Sequence, residues 1–345
     1  MANRMALPGV SMFYESGMIF KGTGRYPQSH GSTIVETPGK DLLAAWYAGS
    51  REKGNDVVIL TSRRPEGGKA WSTPSIAVDT PGKPEGNPVL FRHGPGSIIL
   101  FYQTIHGGGE GPTTRTSGWT TCDIKYRVSR DDGFTWGPDN WVRREWGYVI
   151  RTKPLMMRGR VVLPVHDEVN WESLVMLGEH GGGMKNWTSS NLVSTGEGFK
   201  MGCIEPAIAE LGDDSLIMYM RSGSRTCVWE SRSRDGGLNW TPPSRIKLPN
   251  PDSAIELCRL TDGRIVLVLN NSRTGRNPLT AAISDDGCET WNGFRDLEDG
   301  PGSFSYPSAI QTSDGLVQVT YTYRREGIKH VTMDPSWILG ETKDS

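Results

Sequence analysis

An octapeptide ending in tryptophan recurs along this chain at near-constant spacing, and it constrains the fold more than any other feature. Ser129-Arg-Asp-Asp-Gly-Phe-Thr-Trp136 and Ser233-Arg-Asp-Gly-Gly-Leu-Asn-Trp240 share the pattern Ser-x-Asp-x-Gly-x-x-Trp. Ser284-Asp-Asp-Gly-Cys-Glu-Thr-Trp291 is a variant with Cys288 at the glycine position. Ser62 to Trp71 and Gly178 to Trp187 are eroded copies. The last three gaps between these tryptophans are 51, 53 and 51 residues. A fixed period of that size means a propeller, a solenoid or an array.

A second repeat runs in phase with the first: an apolar strand, a tight turn and another apolar strand. Its instances open at Ser32, Pro88, Pro154, Pro206, Ile255 and Pro307. Each of these six hairpins precedes a third strand, and the Ser-x-Asp turn then leads into a fourth. Four strands repeated six times predict an all-β chain folded as a six-bladed β-propeller of four-stranded antiparallel blades. The expected blades span about 30–80, 87–145, 153–198, 205–250, 254–300 and 306–335 within one domain of 1–345. The sixth unit ends without an Asp-box turn or a fourth strand, while residues 8–22 are left over at the start. This leftover segment is expected to supply the outer strand of the last blade and so remove an open sheet edge. The Asp and Ser of each turn are read as scaffold, bonding local backbone, with the Trp packed between blades.

Composition fits this reading and narrows the partners. With 43 Gly, 22 Pro and 12 Trp, the chain is rich in turn formers and large aromatics. Its net charge of −1 gives no basic face for nucleic acid. No apolar run approaches the roughly 20 residues a membrane helix needs, and no membrane partner is expected. Met1 to Pro8 shows no apolar leader core, so a cytoplasmic location is expected, or an extracellular or periplasmic one if a leader has been removed. The five cysteines are scattered and show no zinc spacing, so neither a metal nor a cofactor is expected. Charge and length do not bear on the oligomeric state.

In a meander around an axis, the residues opening the inner strands ring one mouth. Aligning the repeats gives His30, Asn87, Lys153, Glu205, Ala254 and Tyr306 at those positions, with Glu256 two residues into the fifth strand. The second strands end near Arg51 and Glu52, His166-Asp-Glu168, Arg221, and Tyr323-Arg324-Arg325. So many polar side chains at one mouth point to a polar ligand. Adjacent strand positions face opposite ways, so His166 and Glu168 with the intervening Asp167 are not read as a metal site. The insertion from Thr104 to Trp119 is read either as a surface loop or as a lid whose Trp119 or Arg115 touches the ligand. Trp146 and Tyr148 are further candidates for stacking on a sugar ring.

Gly202-Cys-Ile-Glu205-Pro, with Arg221 downstream, and Ser303-Phe-Ser-Tyr306-Pro-Ser resemble the fourth-blade and sixth-blade segments of the sialidase (neuraminidase) superfamily, in its Asp-box branch. The resemblance covers all six repeats and is nearest to bacterial chains described as predicted neuraminidases. It implies Tyr306 as nucleophile, Glu205 as its base, and Arg221 and Arg276 as carboxylate ligands, with Arg273 competing for the last role. It also implies a proton donor in the loop Gly49 to Asp56, where Asp56 is preferred over Glu52. His30, Arg51, Lys153, Asn87, Glu256 and Arg324 are expected to contact substrate. The implied activity is exo-hydrolysis of a terminal, carboxylate-bearing sugar with retention. Guanidinium groups grip a carboxylate through paired charge-assisted bonds, and a neutral tyrosine avoids the repulsion a carboxylate nucleophile would suffer.

One departure keeps other readings open. Sialidases open blade one with Arg-Ile-Pro, whereas this chain has His30-Gly-Ser there. A lyase or glycosidase acting on uronic-acid glycans is the second reading, with His30, Tyr306, Lys153, Arg221 and His166 as its set. A glycan-binding propeller without catalysis is the third.

Overall fold

The computed structural model describes residues 13–107, 113–179, 184 and 186–340, which form six antiparallel sheets arranged as the blades of a β-propeller. From the axis outward, blade 1 consists of Gln28–Glu36, Leu42–Gly49, Val58–Arg64 and Ser75–Val78. Blade 2 consists of Glu85–Arg92, Ile98–Ile105, Cys122–Ser129 and Asn140–Arg143. The inner strand of blade 3 is split into Tyr148–Val149 and Leu155–Met157, both paired with Arg160–Asp167, and Glu172–Glu179 and Thr188–Ser189 follow. Blade 4 runs Cys203–Gly212, Ser215–Ser222, Trp229–Ser233 and Ser244–Arg245, and blade 5 runs Glu256–Arg259, Ile265–Leu269, Leu279–Ser284 and Asn292–Glu298. Blade 6 takes Phe304–Gln311, Val317–Tyr323 and Gly327–Met333 from the end of the chain and Tyr14–Lys21 from its start. The closing strand pairs antiparallel from Tyr14 opposite Met333 to Lys21 opposite Gly327. Residues 8–12 of the expected strand lie outside the described residues, as do 108–112 of the blade-2 insertion.

Apolar side chains alternate along the strands and meet between blades, so each neighbouring pair shares its own core. Val35, Leu43 and Leu90 belong to the core joining blades 1 and 2, and Val89, Phe101 and Leu163 to the one joining blades 2 and 3. A tryptophan wedges into every such core. Trp71 packs between blades 6 and 1, Trp136 between 1 and 2, and Trp187 between 2 and 3. Trp240 and Trp291 continue the series between blades 3 and 4 and between 4 and 5. The sixth wedge was not expected from the repeat. A short helix, Pro335–Leu339, follows the third strand of blade 6 and inserts Trp337 between blades 5 and 6. Asp334 caps this helix by accepting from Ser336 N, and Tyr14 of the closing strand stacks on Trp337 at 4.4 Å.

The Asp-box turns are scaffold, as expected. Asp131 Oδ1 accepts from Ser129 Oγ at 2.7 Å and from Thr135 N at 2.9 Å, and Gly133 N donates to Ser129 Oγ. Asp235 and Asp286 repeat these bonds. The residue donating to the serine takes a left-handed conformation, with φ of 86° at Gly133 and 90° at Gly237. Cys288 adopts φ 70° at the equivalent place, a conformation that favours glycine.

His330, on the third strand of blade 6, is fully enclosed, bonded to Gln318 Oε1 at 2.9 Å and packed edge-on against Trp71. Burial, aided by the Arg64 charge, pushes its pKa down to about 3. The unfolded chain therefore binds a proton at this residue below about pH 6.5 while the folded chain does not. Stability contributed by neutral His330 is complete above that value and is lost progressively toward about pH 3. We expect the melting temperature to fall as pH is lowered through this window, and His330→Gln to flatten the fall by up to one proton's worth of slope. Identical slopes for the two proteins in calorimetry would contradict this.

Candidate functional site

The inner strands carry an irregularity at the same height in four blades. Register shifts lie between His30 and Thr33, Gly86 and Val89, Ile204 and Ala207, and Ser305 and Ser308. The first residue of each bulge is left-handed: Gly31 at φ 61°, Asn87 at 39°, Glu205 at 52° and Tyr306 at 56°. In three of them a proline follows, Pro88, Pro206 or Pro307, and its missing N–H leaves no donor stranded where the ladder is broken. A non-glycine residue held this way costs on the order of 1–3 kcal/mol, and such strain gathers at functional sites. Here the bulge turns Asn87, Glu205 and Tyr306 toward the axis, where all three line one central cavity of about 380 Å³.

Four expected residues converge there. Tyr306 Oη donates to Glu205 Oε1 at 3.0 Å. Arg221 Nη1 reaches that same carboxylate oxygen at 2.7 Å and the phenol oxygen at 3.0 Å. Arg276 holds its guanidinium carbon 5.3 Å from the Tyr306 ring centre and is anchored by donating to the Asp252 carbonyl. Asp252 in turn accepts from Arg221 Nε at 2.6 Å. Burial raises the Glu205 pKa, but the charges of Arg221 and His166, then of Arg151 and Arg276, outweigh it and hold the carboxyl below its usual range. Burial, with the neighbouring carboxylate, lifts the Tyr306 phenol above its ordinary value despite both arginines. The pair therefore rests as a neutral phenol against an ionised carboxylate.

The expected proton donors separate. Asp56 lies outside this cavity, in a neighbouring cleft with Arg51, Lys83 and His106. Both its oxygens accept from Ser50, and these bonds overcome slight burial and hold it ionised. The preference for Asp56 is corrected, because a loop carboxylate tied up in its own turn does not reach the central cavity. Glu52 does line that cavity. Its Oε1 accepts from Trp119 Nε1 at 2.9 Å and its Oε2 from Arg325 Nη1 at 2.5 Å. Burial pushes its pKa up, but Arg325 and Trp119 outweigh burial and hold it below the usual value. Trp119 thus belongs to the cavity wall, where Gly86 admits it: a Cβ on Gly86 would meet the indole at 2.3 Å.

Other expected contacts move elsewhere. The blade-1 equivalent of Glu205 and Tyr306 is Gly31, so His30 falls one place back, buried behind the site. Its ring lies 4.2 Å from that of Tyr306, both nitrogens lack hydrogen-bond partners, and burial with Arg325 and three other arginines drives its pKa far down. A neutral, enclosed imidazole is a support for Tyr306 and not an anion ligand. Lys153 spans the axis instead of the mouth, donating to Thr33 Oγ1 and to the carbonyls of Ile34 and Leu90. Glu256 is buried and accepts from Ala309 N, without a direct ion pair to that lysine among the described residues. Burial drives the Lys153 pKa down and that of Glu256 up, each partly restored by the other. Arg51 lines the neighbouring cleft, and Arg324 donates to the Pro301 carbonyl, leaving Arg325 as the residue that enters the cavity. Trp146 stacks on His106, Tyr148 lies under Arg143, and Arg115 covers Phe199, all away from the cavity.

Sequence reasoning missed Tyr47, Trp171, Lys200 and Asp252 in the wall and Arg151 behind it, and chose Arg324 over the neighbouring Arg325. Arg151 lies 5.0 Å from the Tyr306 ring and donates to the Pro307 carbonyl. Its signal was the broken inner strand of blade 3, which lets residues 151–153 leave the sheet. Among the described residues, no cluster of three His, Cys, Asp or Glu side chains is placed to hold a metal ion.

We expect Lys153→Met to destabilise the fold by about 3 kcal/mol or more, because it leaves the Thr33 hydroxyl and the Ile34 and Leu90 carbonyls without their donor and removes the cation that acts on buried Glu256. Adding Glu256→Leu should recover part of the loss. Denaturant unfolding checks this, and an unaltered stability in the single variant would return Lys153 to the list of ligand contacts.

Solved structures with this fold include sialidases. A Hadza microbial sialidase superposes with a TM-score of 0.72 at 18% identity, over 90% of this chain and 66% of that one. The NanB sialidase of Streptococcus pneumoniae gives 0.76 at 12% identity, over 93% of this chain and 70% of that one. A protein of unknown function from Dyadobacter fermentans gives 0.79 at 16% identity, covering 95% of this chain and all of its own. The chain therefore spans just under two thirds of the Hadza enzyme. Likeness at these identities shows the fold alone. No curated protein sequence matches this chain. Residues 40–319 match the family described as the BNR repeat-like domain, and the chain belongs to that family.

Proposed function

We propose that this protein is a glycoside hydrolase that releases a terminal, carboxylate-bearing sugar of the sialic-acid type by a retaining mechanism. The observation that carries the reading is the bonding of Tyr306 to Glu205, with Arg221 against both. Glu205, ionised, takes the phenol proton as Tyr306 attacks the anomeric carbon. A glycosyl–tyrosine forms, and water then releases the sugar. Arg276 and Arg221, joined by Arg325, line the cavity as guanidinium groups for the substrate carboxylate. Arg325 comes from the end of a blade-6 strand and supplies the third cation that blade 1, with Gly31 at the bulge, does not. A cavity of about 380 Å³ suits one sugar ring. The named sialidases that share the fold add support by analogy.

The test is a sialoside with a chromogenic leaving group, run beside uronate polymers. We expect chromophore release and no unsaturated uronate. Tyr306→Phe should lower kcat/KM by at least about a thousandfold, judged against typical losses for nucleophile removal, while binding of the free sugar persists. Full turnover by Tyr306→Phe would refute the nucleophile. Elimination products would favour the lyase, and binding without turnover of either substrate would favour the non-catalytic propeller.

A further inference from the structure

The proposed reaction needs a proton for the departing oxygen, and neither carboxylate of the loop after the first hairpin is suited to give one. Asp56 is outside the cavity, and Glu52 has both oxygens committed to Trp119 and Arg325. A further carboxylate lines the same cavity. Glu168 follows the second strand of blade 3, and its Oε2 lies 3.0 Å from His166 Nε2. Among the described residues this imidazole is its only side-chain partner. The backbone that carries it is fixed. Glu168 N donates to the Gly147 carbonyl, and Asp167 Oδ1 caps the turn by accepting from Val169 N and Asn170 N.

His166 is 2% exposed, yet its second nitrogen, Nδ1, has no hydrogen-bond partner. Glu205 Oε2 is likewise buried and unpartnered. The imidazole that bonds the Glu168 carboxyl thus lies in the same cavity wall as the base of the nucleophile. Buried polar atoms left unpaired are rare and call for an explanation, and a role in the reaction supplies one.

We propose that Glu168 is the acid that protonates the leaving oxygen, and that His166 is a positioning residue that orients it; this rests on the Tyr306 reading above. In the first step the phenol proton of Tyr306 passes to Glu205, and the phenolate oxygen bonds to the anomeric carbon. The bond from that carbon to the aglycone oxygen breaks, its electron pair stays on oxygen, and that oxygen takes the proton of Glu168. In the second step Glu168, now a carboxylate, removes a proton from water as the water oxygen bonds to the anomeric carbon. The tyrosine–carbon bond breaks, and the phenolate recovers its proton from Glu205. One water is consumed and the protein returns to its starting protonation.

The test is leaving-group dependence, because an acidic phenol departs without help and an alkyl alcohol does not. For Glu168→Gln we expect kcat/KM to fall at least about a hundredfold on a sialoside with a sugar or methyl leaving group, and less than about tenfold on the 4-nitrophenyl sialoside. Retained turnover of the aryl substrate also reports that the variant folds. If Glu168→Gln does not fold, His166→Gln carries the test, and the same bias with a smaller amplitude is expected. Equal losses on both substrates, or the bias appearing in Glu52→Gln instead, would overturn the assignment. A wild-type protein inactive on both substrates would sink the hydrolase reading itself, whereas an active wild type with an unbiased variant sinks only this inference.

Discussion

Closure of the ring is the constraint on which everything else depends. Each blade alone is a small twisted sheet with two apolar faces and two open edges, and it gains stability only by packing on its neighbours. Six interblade cores do this packing, each with its own tryptophan wedge. The ring closes within its last blade, where an N-terminal strand joins three later ones, and that blade is secured twice. Tyr14–Lys21 completes the last sheet by main-chain pairing. Trp337 then fills the gap between blades 5 and 6 from a capped helix turn, and Tyr14 stacks on it. The strand that closes the sheet and the wedge that closes the core therefore touch each other. Residues as distant in sequence as Glu52 and Arg325 are held 2.5 Å apart as a consequence.

A regular ring would leave the axis lined by ordinary pleated strands, with side chains alternating from face to face. The bulges break that alternation where the strands approach the mouth. Because the same distortion recurs in blades 1, 2, 4 and 6, it is a property of the repeat, and the chemistry resides in which residue each blade places there. Glycine gives space beside Tyr47, asparagine gives an amide, glutamate a base and tyrosine a phenol. Blade 3 abandons the bulge for a split strand and sends Arg151 and Lys153 across the axis. Blade 5 contributes Glu256, whose carboxyl acts on that lysine through its charge. The positions thus divide between a polar set lining the cavity and the buried Lys153 and Glu256, which do not line it.

Much of this was legible in the sequence. Strand count, blade order and the N-terminal closing strand follow from the Asp-box period and the hairpin alternation. Arg221 and Arg276 were named from the sialidase resemblance, whereas Glu205 and Tyr306 also align because each precedes a proline that opens an inner strand. That signal also explains the error at His30: without a proline to fix the register, the first blade was read one residue out, and a one-residue slip moves a side chain to the other face. Arg324 was chosen over Arg325 for a similar reason. Both residues sit in a left-handed turn where strand alternation no longer tells which of them faces inward. Trp337 escaped notice because its wedge rides on a helix and not on an Asp box, so the spacing persists while the motif does not. Asp252 and Trp171 come from turns that carry no repeat signature.

The charges of the cavity explain why a phenol suits this place. Arg221 bonds to Glu205, Asp252 and Tyr306 at once, and burial makes the Coulomb terms among them strong. A carboxylate at position 306 would add a negative group directly against Glu205, and one of the two would have to take up a proton. A phenol avoids this conflict, since it accepts from Arg221 and donates to Glu205 without adding a charge. Its ring also packs at a tilt against neutral His30, and the Arg151 and Arg276 guanidinium carbons lie 5.0 and 5.3 Å from its centre, where their cations face an aromatic surface. Loss of the phenol's proton places a negative charge beside guanidinium groups that are already in position, so the cavity favours the charge distribution of the attacking state with little rearrangement. On the proposed reading the substrate's carboxylate would be drawn by the same cations, so the groups that select an acidic sugar would also stabilise the phenolate as it forms.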